Sequence, residues 1–194
     1  MFKSERSALR VKETVTNYLE NKLYVKVNQE KTTVAYITKI KFLGFGFYID
    51  KGGNAQITVH KKSKEKMKKR IREITKRNRA ISSKQLAEEL KLFIRGWVNY
   101  YRIAKMYSIL KEIDGWMRRR IRMIYWKRWK LVKTRFRNLI RLGINKLDAW
   151  KWANTRKSYW HIANSFILAR TLTNDGLKQF GFINSLDYYK SINL

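Results

Sequence analysis

Residues 61–160 hold 32 lysines and arginines against seven aspartates and glutamates, and the same stretch holds all seven tryptophans of the chain. Basic and aromatic residues are interleaved here, so apolar side chains can be gathered into a core only by a regular period that draws them into stripes. The flanks differ: ten basic against five acidic residues over 1–60, and three against two over 161–194. Over the whole chain the formal charge reaches +31. A charge of this size repels itself and is tolerable chiefly when a polyanion neutralises it, which makes nucleic acid the first candidate partner.

The 194 residues fit one ordinary domain or two small ones sharing a core, and a 44% apolar content is enough to build that core. No cysteine is present, so disulfide scaffolds, thiolate metal sites and cysteine nucleophiles are excluded. No run approaches the roughly 20 uncharged apolar residues of a membrane span, and Met1 to Arg10 does not read as a secretory leader. An intracellular location, cytoplasmic or organellar, is the expectation.

Ser4 can cap a helix whose apolar positions Ala8, Val11, Val15 and Tyr18 follow helical spacing. Four β-rich segments follow, Leu23–Val27, Thr33–Ile37, Phe42–Ile49 and Ala55–His60, with Asp50-Lys51-Gly52-Gly53 as a hairpin turn between the last two. From Ser63 the period becomes helical, with Met67, Ile71 and Ile74 on one stripe. Ser82 and Gln85 then form a capping box, and Ile81 and Leu86 occupy the positions of a hydrophobic staple. The helix they open has an inward stripe Leu86, Leu90, Phe93, Trp97 and Tyr101, and Gly96 marks a close approach of another backbone. A helix over about 109–130 gathers Ile113, Met117, Ile121 and Ile124 on one side and sets Arg119, Arg122, Trp126 and Trp129 opposite. Further helices are predicted at 148–154 and 159–172, before a short terminal segment with Phe180, Phe182, Leu186 and Tyr188-Tyr189.

Catalytic chemistry is sparse. A two-metal phosphoryl-transfer centre needs carboxylates converging on ions about 3.5–4 Å apart, and no two aspartates are adjacent here. Asp50 suits a turn and Asp114 a structural role within a helix. His60 and His161 show no metal-binding spacing, no phosphate-binding or nucleophile-elbow motif occurs, and Gly44-Phe45-Gly46 lacks the third glycine of a dinucleotide fingerprint. Those glycines fit a bending strand or the admission of a neighbour. No catalytic residue, metal or cofactor is assigned.

Two cationic clusters are the candidate site. The first comprises Lys61, Lys62, Lys64, Lys68, Lys69, Arg72, Lys76, Arg77 and Arg79; by itself it could be a solvated helix face. The second comprises Arg118, Arg119, Arg122, Lys127, Lys130, Lys133, Arg135, Arg137 and Arg141. Arginine forks contact phosphate bidentately and stack on bases, which a solubilising face does not need. Trp97, Tyr101 and Trp116 read as core. Trp126 and Trp129 either stack on bases beside the arginines or pack under the segment 150–165.

The segments Phe42-Leu43-Gly44-Phe45-Gly46-Phe47, Arg95-Gly96-Trp97-Val98-Asn99-Tyr100-Tyr101, Asp114 to Arg122 and Trp126-Lys127-Arg128-Trp129-Lys130 together resemble the C-terminal part of group II intron reverse transcriptases, the intron maturases. Ala149 to Asn154 and Leu186-Asp187-Tyr188-Tyr189 are similar to that family's closing segments, and Lys3 to Arg10 resembles the palm helix that follows its catalytic Tyr-x-Asp-Asp hairpin. The hairpin itself is missing, as are the fingers, most of the palm and a C-terminal nuclease module.

The resemblance implies an α+β chain, predominantly α-helical. A small N-terminal antiparallel β segment from a palm occupies 1–58, a basic thumb-like helical bundle called domain X 59–142, and a DNA-binding-like segment 143–194. It further implies binding of structured group II intron RNA, assistance to its folding and splicing, and no polymerase catalysis. Two alternatives stand beside this: a thumb piece completed by a separate reverse transcriptase chain, or a non-functional remnant of a mobile intron. DNA is a second possible partner; no membrane is implied.

Overall fold

The computed structural model describes residues 4–193, so Lys3 of the palm-helix resemblance lies outside the described residues. Helix α1 spans Glu5–Lys22, and the Ser4 hydroxyl accepts the Ser7 amide at 3.2 Å, as a cap should. Local chemistry makes the helix, but it buries no residue: Leu9, Val11, Val15 and Tyr18 are all exposed.

The strands predicted at 23–27 and 33–37 do not form. Tyr24 takes a left-handed φ of 53°, the Val25 amide turns back to the Leu19 carbonyl at 3.0 Å, and the second segment runs into a single 3-10 turn at Ile37–Lys39. β-branched residues favour a strand only where a neighbour and a buried face are supplied, and neither segment has a pairing partner among the described residues. The sheet is instead the hairpin of β1 (Phe45–Ile49) and β2 (Ala55–Val59), antiparallel with Phe45 opposite Val59 and Ile49 opposite Ala55. Asp50 fixes its turn by accepting the Gly52 and Asn54 amides at 3.0 and 2.9 Å. Gly44 does admit a neighbour. Its φ is +87°, a Cβ there would collide with the Tyr101 hydroxyl, and its carbonyl accepts the Ser63 hydroxyl at 2.9 Å.

His60 caps α2 (Lys61–Ile74) through Nδ1, which accepts the Lys62 amide at 3.2 Å, and α2 buries Met67, Ile71 and Ile74. Helix α3 (Ser83–Tyr101) opens with the predicted capping box, Ser82 and Gln85 bonding reciprocally at 3.0 and 3.1 Å. Its buried stripe is Leu86, Ala87, Leu90, Ile94, Val98 and Tyr101, so Phe93 and Trp97 flank the stripe instead of centring it. Gly96 faces solvent with nothing within 4 Å of a Cβ built there, which corrects its reading as a close approach.

Helix α4 (Tyr107–Arg128) is the hub. Besides Ile113, Met117, Ile121 and Ile124 it buries Leu110, Asp114, Met123 and Trp126, more than one face of a surface helix can supply. The added faces are covered by the C-terminal helices α7 (Tyr159–Ala163), α8 (Phe166–Thr171), α9 (Asn174–Gln179) and α10 (Ser185–Ser191); Ile162, Ile167, Leu168 and Leu177 of these helices and Phe182 of the loop before α10 join the same core. The single helix predicted over 159–172 is thus two. Asn164 ends α7 and Ser165 begins α8, residue types that compete with the helical ladder; the Ser165 hydroxyl donates to the Ile162 carbonyl at 2.7 Å. Between α4 and α7, helices α5 (Val132–Arg141) and α6 (Lys146–Ala153) form a hairpin with its own small core of Leu139, Ala149 and Ala153. The architecture is predominantly α-helical with one small antiparallel sheet.

Two substitutions test this packing. Ile121 is 1% exposed, so Ile121→Ala should cost about 2–5 kcal/mol through lost burial and a residual cavity, measured by denaturant unfolding. Gly96→Ala should instead stabilise by about 0.5–1 kcal/mol, because a solvated mid-helix glycine loses more entropy on folding than alanine.

Candidate nucleic-acid interface

The arginines of α4 are mostly not on a free face. Arg120 donates to the Thr75 carbonyl and hydroxyl and to the Arg72 carbonyl, where α2 ends. Arg122 donates to the Leu172 carbonyl at 3.0 Å, just past α8, and burial lowers its pKa. Arg119 donates to the Trp160 carbonyl through Nε and Nη2 at 3.4 and 3.2 Å. Lys127 reaches the Arg77 carbonyl and Asn78, and Arg128 reaches the Ile81 carbonyl and the Ser83 hydroxyl. Charged donors on helix-end carbonyls satisfy groups that have no intrahelical partner and oppose the negative end of the helix dipole. Arg118 remains half-buried.

Trp126 is fully buried, which removes it from any RNA-contacting set and corrects that expectation. Arg135 of α5 lies over its ring at 4.7 Å and donates to the Trp129, Ala153 and Thr155 carbonyls, so this arginine also holds the fold. Trp129 is half-buried between the main core and the α5–α6 core. The helical phase read from the sequence was right for the isoleucine stripe; the opposite face carries a second layer of chain, which periodicity in one helix does not reveal.

What remains solvent-facing is narrower than the two predicted clusters. On α2 and the loop after it, Lys61, Lys62, Lys69 and Lys76 are exposed with no side-chain bond among the described residues. Lys64 is half-buried, Lys68 pairs with Glu112 at 2.6 Å, and Arg79 is committed to Glu89 and the Ile74 carbonyl. On α5 and its entry, Lys130, Lys133, Arg137 and Arg141 are exposed without a bonded partner among the described residues; the last three repeat every four residues and so share one face. Arg72 and Arg120 flank the Trp116 ring at 5.4 Å each, Arg77 lies 5.7 Å over Tyr159, and Arg119 lies 3.8 Å over Trp160. Sequence reading missed Trp150, Trp160, Arg156 and Lys157, all exposed. The adjacency of the Arg156-Lys157 pair to Tyr159-Trp160 was the available signal.

The one buried aspartate among the described residues has a structural role. Asp114, buried in α4, accepts the Ser185 amide and hydroxyl at 2.9 and 2.7 Å and the Leu186 amide at 3.0 Å, which docks the start of α10. Burial is the largest influence on its pKa and raises it, while those bonds pull the other way. Among the described residues no group of three or more His, Asp or Glu side chains could hold a metal ion, and no helix is long and apolar enough to cross a membrane.

Two variants separate the inner from the outer cations. Arg122→Gln should destabilise by about 1–3 kcal/mol, because the Leu172 carbonyl loses its charged donor in a half-buried place. Lys133→Gln with Arg137→Gln should shift stability by less than about 0.5 kcal/mol, both variants being measured by denaturant unfolding.

A search of curated proteins finds no match. Residues 64–143, from the first turn of α2 to the glycine after α5, match the family model described as group II intron, maturase-specific domain. The ties from α4 to the end of α2 and the open cationic stripe of α5 all lie within that match, so it is this stretch, 64–143, that is similar to the maturase-specific domain of group II introns.

Proposed function

We propose that this chain is a non-catalytic maturase-type RNA-binding protein that sits on structured group II intron RNA and assists its folding and splicing. The observation that carries the reading is the set of exposed cations on α2, α5 and the adjoining loops that have no bonded partner among the described residues, all but Lys61 and Lys62 lying within the maturase-specific match. Lysine-rich, rigidly placed positive surface suits phosphate contact and recognition of RNA shape, since the deep groove of an A-form helix hides its base edges from side chains. In the three-part division by resemblance, 59–142 is the RNA-binding unit, 1–58 a palm-like part, and 143–194 a segment that also meets nucleic acid.

A second reading is favoured by one feature: the exposed apolar side chains of α1 and of 36–49, which include Tyr36, Phe42 and Tyr48. In that reading a separate reverse transcriptase chain covers this surface and supplies the catalytic palm. Primer extension that appears only when such a chain is added supports it; by itself the protein should extend no primer with Mg²⁺ or Mn²⁺, having no carboxylate pair for two metals.

RNA affinity should fall steeply with salt. Replacing Lys133, Arg137 and Arg141 together by glutamine should reduce the slope of log affinity against log salt by about two to three units, near 0.9 for each phosphate no longer neutralised. A wild-type slope near zero in a filter-binding titration would sink the proposal.

A further inference from the structure

Trp160 is 37% exposed and belongs to neither hydrophobic cluster, unlike its neighbours Tyr159 and Ile162. Arg119 lies against it, its guanidinium 3.8 Å from the ring centroid and fixed there by two hydrogen bonds to the Trp160 carbonyl. Trp150 is more exposed, at 64%, yet no cation lies over its ring among the described residues. The Arg119–Trp160 pair is therefore a pre-assembled stack with part of its indole open to solvent. Around it the charge is positive: Arg156 and Lys157 are exposed without a bonded partner among the described residues, and Arg77 is brought to the adjacent Tyr159 ring.

We infer that Trp160, backed by Arg119, is a stacking seat for one unpaired base of the bound RNA, with Arg156 and Lys157 placed for the phosphates on either side. An indole surface takes any nucleobase by its π-face, and a guanidinium behind the ring adds a cation that strengthens the stack. Because the ring is already held by Arg119, little ordering remains to be done when the base arrives. The ligand is a bulged or single-stranded nucleotide and not a duplex step, since paired bases keep their faces inside the helix. This inference rests on the proposal that the chain binds RNA.

The test uses the whole chain and two RNA hairpins of equal phosphate number, one fully paired and one with a single-nucleotide bulge of 2-aminopurine. The wild type should prefer the bulged hairpin by about five- to hundredfold and quench the 2-aminopurine on binding. Trp160→Ala should abolish the preference and the quenching while leaving affinity for the paired hairpin and its salt slope unchanged; Trp160→Phe should keep most of both. Wild-type binding that is salt-dependent, with neither quenching nor bulge preference, overturns the stacking seat and leaves the RNA-binding proposal standing. Equal weakening of both hairpins by Trp160→Ala, or retention of the preference without the ring, also overturns it. If the wild type binds neither hairpin at low salt, both proposals fall.

Discussion

Helix α4 carries four arginines and a lysine whose donors end on main-chain oxygens of other segments: Arg120 at the end of α2, Arg122 past α8, Arg119 at Trp160, Lys127 and Arg128 in the loop before α3. Each of these oxygens sits where a helix or turn has run out of internal partners, so a cation arriving from α4 meets both an unsatisfied acceptor and, at a helix end, the negative end of a dipole. Like charges along one helix would repel in isolation. Here each is drawn to a different neighbour, which is how a strongly basic helix comes to stand at the centre of the fold.

That arrangement divides the positive charge into two populations. Inner cations such as Arg120, Arg122 and Arg135 are bonded to carbonyls and contribute to the order of the core; outer ones such as Lys62, Lys69, Lys133 and Arg137 have no bonded partner among the described residues. Carbonyls satisfy an arginine without neutralising it, and only four ion pairs occur among the described residues, so most of the cations keep no counter-charge beside them in the folded chain. A polyanion laid along α2 and α5, as proposed above, would relieve the resulting self-repulsion. The maturase-specific match over 64–143 covers α5 and all of α2 but its first three residues.

The N-terminal part obeys a different balance. Ser4 and helical spacing suffice to wind α1, yet Val11, Val15 and Tyr18 find no cover among the described residues. Helix formation needs only neighbours in sequence once a nucleus exists, whereas strand formation at 23–27 and 33–37 needs a partner across space. The hairpin of β1 and β2 forms because Asp50 closes the turn within the same segment, and it is anchored by Gly44 against Tyr101 and Ser63.

Local interactions are what the sequence by itself determined: the Ser4 and Ser82 caps, the Asp50 turn, the Met67-Ile71-Ile74 and Ile113-Met117-Ile121-Ile124 stripes, and the overall excess of cations. Each depends on residues within a few positions of one another, so spacing alone displays them. Tertiary structure alone decided that Ile94 and Val98 are buried ahead of Phe93 and Trp97, that Gly96 meets solvent, that Trp126 is interior, and that Arg119 and Arg122 point at carbonyls of chain 41 to 50 residues away. The wheel of α4 correctly set its arginines opposite its isoleucines; whether that second face met water, RNA or more protein depended on where α7 and α8 came to rest, and a helical period carries no information about a second layer.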